Sequence, residues 1–136
     1  MGIVTEGQKF MGIASTMDTT EKKSAALNAD TEFFTIEDIQ MYANEDLAAS
    51  GAASLTKPIS YFSTGGVETA TLAAGTDGQI KIFHMVADGG NMTITVTNPG
   101  WGGSGTMLFE DAQDSVILVY VASKWRVITN IGVTLG

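Results

Sequence analysis

The stretch "VILVYVASKWRVITNIGV", residues 116–133, holds six consecutive apolar residues, Val116 to Val121, then a short break and a second strand-like run. A strand with one wet face alternates apolar and polar side chains, so an unbroken run means that both faces meet other apolar matter. In a chain of only 136 residues the question is what covers the second face.

Neighbouring stretches sharpen the question. In "QIKIFHMVA", Ile80, Ile82, His84 and Val86 share one face while Phe83, Met85 and Ala87 line the other. "MTITVT" alternates cleanly, with Met92, Ile94 and Val96 opposite Thr93, Thr95 and Thr97. Some strands are therefore apolar on one side and others on two. One core can cover only one face of each sheet, and a surplus apolar face marks an interaction surface. Either subunits pack through that face or the N-terminal segment folds back over it; a homo-oligomer is the economical reading, with Ile117, Val119, Val121, Phe83 and Met85 as candidate subunit-interface residues.

The chain divides near Lys57-Pro58. Residues 1–56 carry nine acidic and three basic residues, whereas residues 57–136 carry six and four, together with 12 of the 16 glycines. The second part has the turn punctuation of a β domain. "ISYFST" and "VETATLA" flank Gly65-Gly66, "GQIKIFHMVA" and "NMTITVTN" flank "DGG", and "TMLFE" and "DSVILVYV" flank "DAQ". Each pair reads as a hairpin, and "VILVYV" runs through "AS" into "KWRVITN". The expectation is all-β: an antiparallel sandwich or barrel of about seven strands over 57–136. Residues 1–56 read as an extended N-terminal arm. "TIEDIQMYANEDL" within it, with Thr35 at a helix N-cap position, predicts one short helix near 36–48, and a strand at 33–36 is the local alternative.

Composition excludes several classes. A net charge of −8 argues against nonspecific binding to nucleic acid or anionic membranes. The absence of cysteine removes disulfides and thiolate metal sites. The N-terminal "MGIVTEGQKF" is not of secretory type, and no apolar run has the length of a membrane span.

No residue pattern implies catalysis. His84, the single histidine, sits mid-strand among apolar neighbours and reads as a core or interface residue, because a general base needs an orienting partner. The cluster Glu110, Asp111 and Asp114 lacks the order of a calcium loop and reads as a solvated turn, as does Glu45-Asp46. "NPGWGGSG" places Trp101 in a glycine-rich loop, where it either caps the end of the β domain or serves as a surface contact. Neither a phosphate loop nor a nucleophile elbow surrounds Ser104. Trp125 reads as core. No cofactor and no metal is expected.

The stretches "TATLAAGTDGQIKIFHMVADGGNMTITVTN" and "TMLFEDAQDSVILVYVASKWRVITNIGVTL" resemble small β domains of tailed-phage virion proteins. The features that carry the resemblance are "LxxGTDGQIK", "DGGNMTI", "FxDAxDSVxL" and the closing "KWRVIxNxGV". Such domains occur in capsid decoration (cement or head-fibre) proteins and in some fibre tips. The resemblance implies a non-enzymatic virion protein, a homotrimer on the outer surface of the capsid that binds the major capsid protein and stabilises the head. It also implies an alternative, a receptor- or glycan-binding tip module with Trp101 as the contact. It covers most of the second part of the chain and none of residues 1–56.

Overall fold

The computed structural model describes residues 43–136, and these form two five-stranded sheets. In chain order the strands are β1 (Asn44–Asp46), β2 (Gly51–Ala52), β3 (Ile59–Ser63), β4 (Glu68–Leu72), β5 (Ile80–Ala87), β6 (Met92–Val96), β7 (Thr106–Phe109), β8 (Ser115–Val121), β9 (Lys124–Ile131) and β10 (Thr134–Leu135). Sheet I has the order β1-β3-β5-β8-β9 and sheet II the order β10-β7-β6-β4-β2. The described residues are all-β and sandwich-like, and each of the seven strands expected from sequence is present.

Their pairing differs from expectation. From β1 to β6 the chain alternates between sheets. The neighbours β1/β3, β3/β5, β2/β4 and β4/β6 are consequently parallel. Parallel neighbours need a crossover, and here a strand of the opposite sheet supplies it where a helix commonly would. Antiparallel pairing is confined to β5/β8, β6/β7, β7/β10 and β8/β9. The sheets are thus mixed, which corrects the antiparallel expectation.

The three glycine- and aspartate-marked turns are not hairpins but arches that carry the chain from one sheet to the other. The reason lies in how two of them stack. A Cβ on Gly90, whose φ is +150°, would lie 2.4 Å from the carbonyl carbon of Gly66. Thr64 ties the two arches together: its Oγ1 donates to Gly90 O (2.5 Å) and accepts from Gly89 N (3.0 Å). Gly89 and Gly90 are there to let one backbone lie on another: a Cβ on either would run into the backbone of residues 64–66, whereas one on Gly65 or Gly66 would meet nothing closer than 3.9 Å.

The "AS" turn between β8 and β9 is a true two-residue hairpin, with φ of 51° at Ala122 and 61° at Ser123. Two left-handed residues define a type I′ turn, which favours Asn-Gly. Replacing Ala122 by Asn and Ser123 by Gly should raise stability by about 0.5–1 kcal/mol, read as a shift of the urea midpoint at constant slope.

β1 and β2 lie before Lys57, so the β domain starts ahead of the expected boundary at 57. Residues 43–48, expected as the end of a short helix, hold strand β1 at 44–46 and no helix; the part of that helix over 36–42, the alternative strand at 33–36 and most of the N-terminal arm fall outside the described residues.

Side chains of alternate residues meet between the sheets. Phe62, Phe83, Met85, Val116 and Leu118 of sheet I pack against Leu72, Met92, Ile94, Met107 and Phe109 of sheet II, all at most 1% exposed. Phe109 links the layers, its ring edge-on to Phe62 at 5.1 Å and tilted to Phe83 at 6.4 Å. Trp125 is fully buried, edge-on to Tyr120 at 5.1 Å, with its Nε1 donating to Ala73 O at 2.9 Å. It is the core residue the sequence indicated.

Candidate docking face

The register of sheet I answers the opening question. Along β8, Val116, Leu118 and Tyr120 point inward and are buried, while Ile117 and Val119 are half-buried on the outward face and Val121 is exposed. Cross-strand pairs extend that outward face. Ile59 of β3 pairs with Ile82 of β5, and Ile82 with Ile117. One row along, Tyr61 pairs with His84 and His84 with Ser115. On the other side Ile80 pairs with Val119, and Val119 with Arg126. Val86 at 45% exposure and Ile131 at 62% complete an apolar surface that no other strand of the described domain covers.

The outward face of sheet II is different. Thr69 and Thr71 stand in register with Thr93 and Thr95, and Thr95 with Thr106. It is a hydroxylated surface broken by Leu108 and suited to water. The contrast singles out sheet I.

Of the candidate interface residues, Ile117, Val119 and Val121 lie together on the outward face. Phe83 and Met85 do not: both point inward at 0% exposure and belong to the core. The physical reason is β5's partner. Phe83 pairs with Val116, and that pair faces sheet II, so Ile80, Ile82 and His84 are left outside.

The rim of this face is charged at opposite edges. β1 contributes Asp46, exposed and paired with Tyr61; β9 contributes the exposed Lys124 and Arg126. β1 is positioned by a feature that strand reading missed. Lys81 alternates inward beside Phe83 and is completely buried. Its Nζ donates to Ser54 O (2.7 Å) and Lys57 O (2.8 Å), lies 3.3 Å from Glu45 Oε1, and sits 5.4 Å from the centre of the Phe83 ring. Glu45 Oε1 also accepts from the Ser54 amide at 2.7 Å and from Ser60 Oγ. Burial pushes the Glu45 carboxyl up, but the bonds from Ser60 and Ser54 and the charge of Lys81 outweigh it and hold it below its ordinary value. Burial lowers Lys81, offset in part by Glu45. The visible signal was a lysine on the Phe83/Met85 face of an otherwise apolar strand. Its partner, 36 residues earlier, could not be inferred.

The other singled-out residues have local structural roles. Asp114 is buried, and its Oδ2 accepts from the amides of Glu110 (2.8 Å) and Asp111 (3.1 Å), so the acidic turn consumes its own carboxylate. Gly132, with φ of +78°, packs on it; a Cβ there would lie 1.8 Å from Asp114 Oδ1. Trp101 is half-buried against the core, and its Nε1 donates to Gly136 O at 3.2 Å. That is the capping arrangement. His84 stands on the outward face between Tyr61 and Ser115. Among the described residues no three or more His, Asp or Glu side chains gather as a metal site.

No protein-family model matches the chain and no curated protein matches it significantly.

Proposed function

We propose that this chain is a non-enzymatic structural protein that works by docking the outward face of sheet I against another protein surface. The fuller form of the proposal follows the resemblance: a decoration protein on the outer surface of a phage capsid, binding the major capsid protein and acting as a homotrimer. The single observation that carries the docking reading is the row Ile59–Ile82–Ile117, flanked by Ile80 and Val119, on a sheet face that the described strands leave uncovered. Isoleucine and valine at half-buried positions stay partly wetted, and each fully buried aliphatic side chain contributes about 1.5–3 kcal/mol. Several of them seated on a partner offset the entropy of association. A shell gains strength in this way when area is buried across its subunit boundaries.

The test is co-sedimentation with capsid shells stripped of this protein. Wild type should pellet with the shells, and Ile117→Asp, folded but charged on the outward face, should stay in the supernatant. Wild type that remains soluble at every concentration would overturn the capsid reading.

A further inference from the structure

We infer that docking through the outward face of sheet I is released by acid, and that His84 is the group that releases it. The inference rests on the docking reading above and adds its control. Three observations carry it.

The first is position. Sheet I has the order β1-β3-β5-β8-β9, so β5 is its middle strand and His84 lies two strands from either edge. The side chain is half-buried and shares the outward face with Ile80, Ile82 and Val86. A partner seated on the row Ile59–Ile82–Ile117 therefore also covers the next row, in which His84 stands between Tyr61 and Ser115. A charge at the rim of a contact keeps its water, but one at the centre loses it.

The second is what faces the ring. From β3 it is Tyr61, and from β8 it is Ser115, with the aliphatic Ile131 of β9 beyond. Asp46 ends the row on the other side, past Tyr61 and two strand spacings away, roughly 10 Å. The charged neighbours in sequence are turned elsewhere. Lys81 points inward to Glu45, Asp114 is held by the amides of Glu110 and Asp111, and Asp88 accepts from Gly90 N past the end of β5. Lys124 and Arg126 pair with Val121 and Val119, at the far end of β8 from Ser115. Lys81–Glu45 is the only ion pair among the described residues, so no carboxylate there steadies an imidazolium at His84.

The third is chemistry. Histidine is the side chain that changes charge between about pH 5 and 8, and this chain has one. The uncharged ring fits an apolar contact and still offers a hydrogen bond. A charged ring must give up water on docking, with no counter-charge from its own sheet to replace it. Proton uptake is therefore costlier in the docked state than in the free one. By linkage the docked state holds fewer protons, and docking weakens as pH falls, by at most about tenfold per pH unit.

The test is co-sedimentation of the full chain with the stripped shells at about pH 7.5 and about pH 5.5, for wild type, His84→Gln and His84→Lys. Near-UV circular dichroism confirms the fold of each at both values. The lower pH stays above 4.5, the ordinary value for Glu45, so the buried pair keeps its contribution. Wild type should lose about tenfold or more in affinity at the lower pH. His84→Gln should bind alike at both, and His84→Lys should bind at the higher pH as weakly as wild type does at the lower. Wild type that binds equally well at both, or better in acid, overturns the inference and leaves the docking reading standing. A loss in acid shared by His84→Gln overturns it too, because another group then senses the proton. His84→Lys that binds like wild type places His84 outside the contact and overturns it as well. Wild type that pellets at neither pH removes the capsid reading and the inference together.

Discussion

Leu118→Asp should abolish folding, while Ile117→Asp, one residue earlier on the same strand, should fold normally and lose assembly. The two side chains differ only in parity. Leu118 is completely buried between the sheets, opposite Val127, whereas Ile117 lies half-buried on the outward face opposite Ile82 and Thr129. Lys81 stands opposite Leu118 in register, but its Nζ is already held by Glu45 and by the carbonyl oxygens of Ser54 and Lys57, and a carboxylate at Leu118 stays unpaired. Burying such a charge, together with the lost leucine packing, costs about 4–5 kcal/mol or more. A small domain has about 5–15 kcal/mol in total, so most of its stability is forfeited. At Ile117 the carboxylate reaches water in the separate subunit, and the folding cost stays below about 1 kcal/mol. In an assembled state the same charge is trapped, and there it costs several kcal/mol. Val119→Asp should behave as Ile117→Asp does. Urea titration followed by tryptophan fluorescence gives the folding term, because Trp125 is buried in the core. Light scattering gives the assembly term. Equal loss of folding in both variants would mean that the outward face is part of the folding core.

Glu45→Ala should destabilise the domain by about 2–3 kcal/mol, somewhat below the range for a fully buried pair because the Glu45 side chain keeps 17% of its exposure. The variant leaves Lys81 charged, completely buried and held only by two carbonyl oxygens. It also takes the acceptor from Ser60 and from the Ser54 amide. Lys81→Met should cost less, since it removes the buried charge together with its partner's need for one.

The pair also sets a pH dependence. The folded-state pKa of Glu45 lies below its ordinary value of 4.5, so its contribution is fully present above that value and is lost as pH falls through the lower, folded one. Wild-type stability should therefore decline in acid below about pH 4.5, and Glu45→Gln should flatten that decline. Lys81 has the opposite effect at neutral pH. Its lowered pKa means that burial opposes its charge, and stability gains as pH rises toward the ordinary value of 10.5. Denaturant midpoints across pH for wild type, Glu45→Gln and Lys81→Met separate the two contributions.

Seven strands were legible because each carries its own period or an apolar run: "MTITV" reads as a strand from its alternation alone. β1, β2 and β10 were not. Asn44-Glu45-Asp46 has low intrinsic β-propensity and becomes a strand only because β3 lies alongside to take its hydrogen bonds. The glycine pairs were visible, but their meaning was not. Both pairs suit a tight hairpin as well as an arch, and at Gly89-Gly90 the absence of a Cβ serves close backbone approach and not the hairpin turn. Deciding between them requires knowing that Gly66 lies under Gly90, 24 residues later.

The sequence by itself determined that residues 57–136 are all-β, where the main strands run, that Trp125 is core, and that more apolar strand surface exists than one core can cover. These follow from local periodicity and composition, which each strand carries independently of its neighbours. Only the tertiary structure decided which of the two apolar faces of β5 and β8 turns inward, that the sheets are mixed, and that Lys81 meets Glu45. Those depend on non-local pairing: a strand's faces are chemically equivalent until a neighbour's register, here Phe83 opposite Val116, assigns one of them to the core and leaves Ile82 and Ile117 outside.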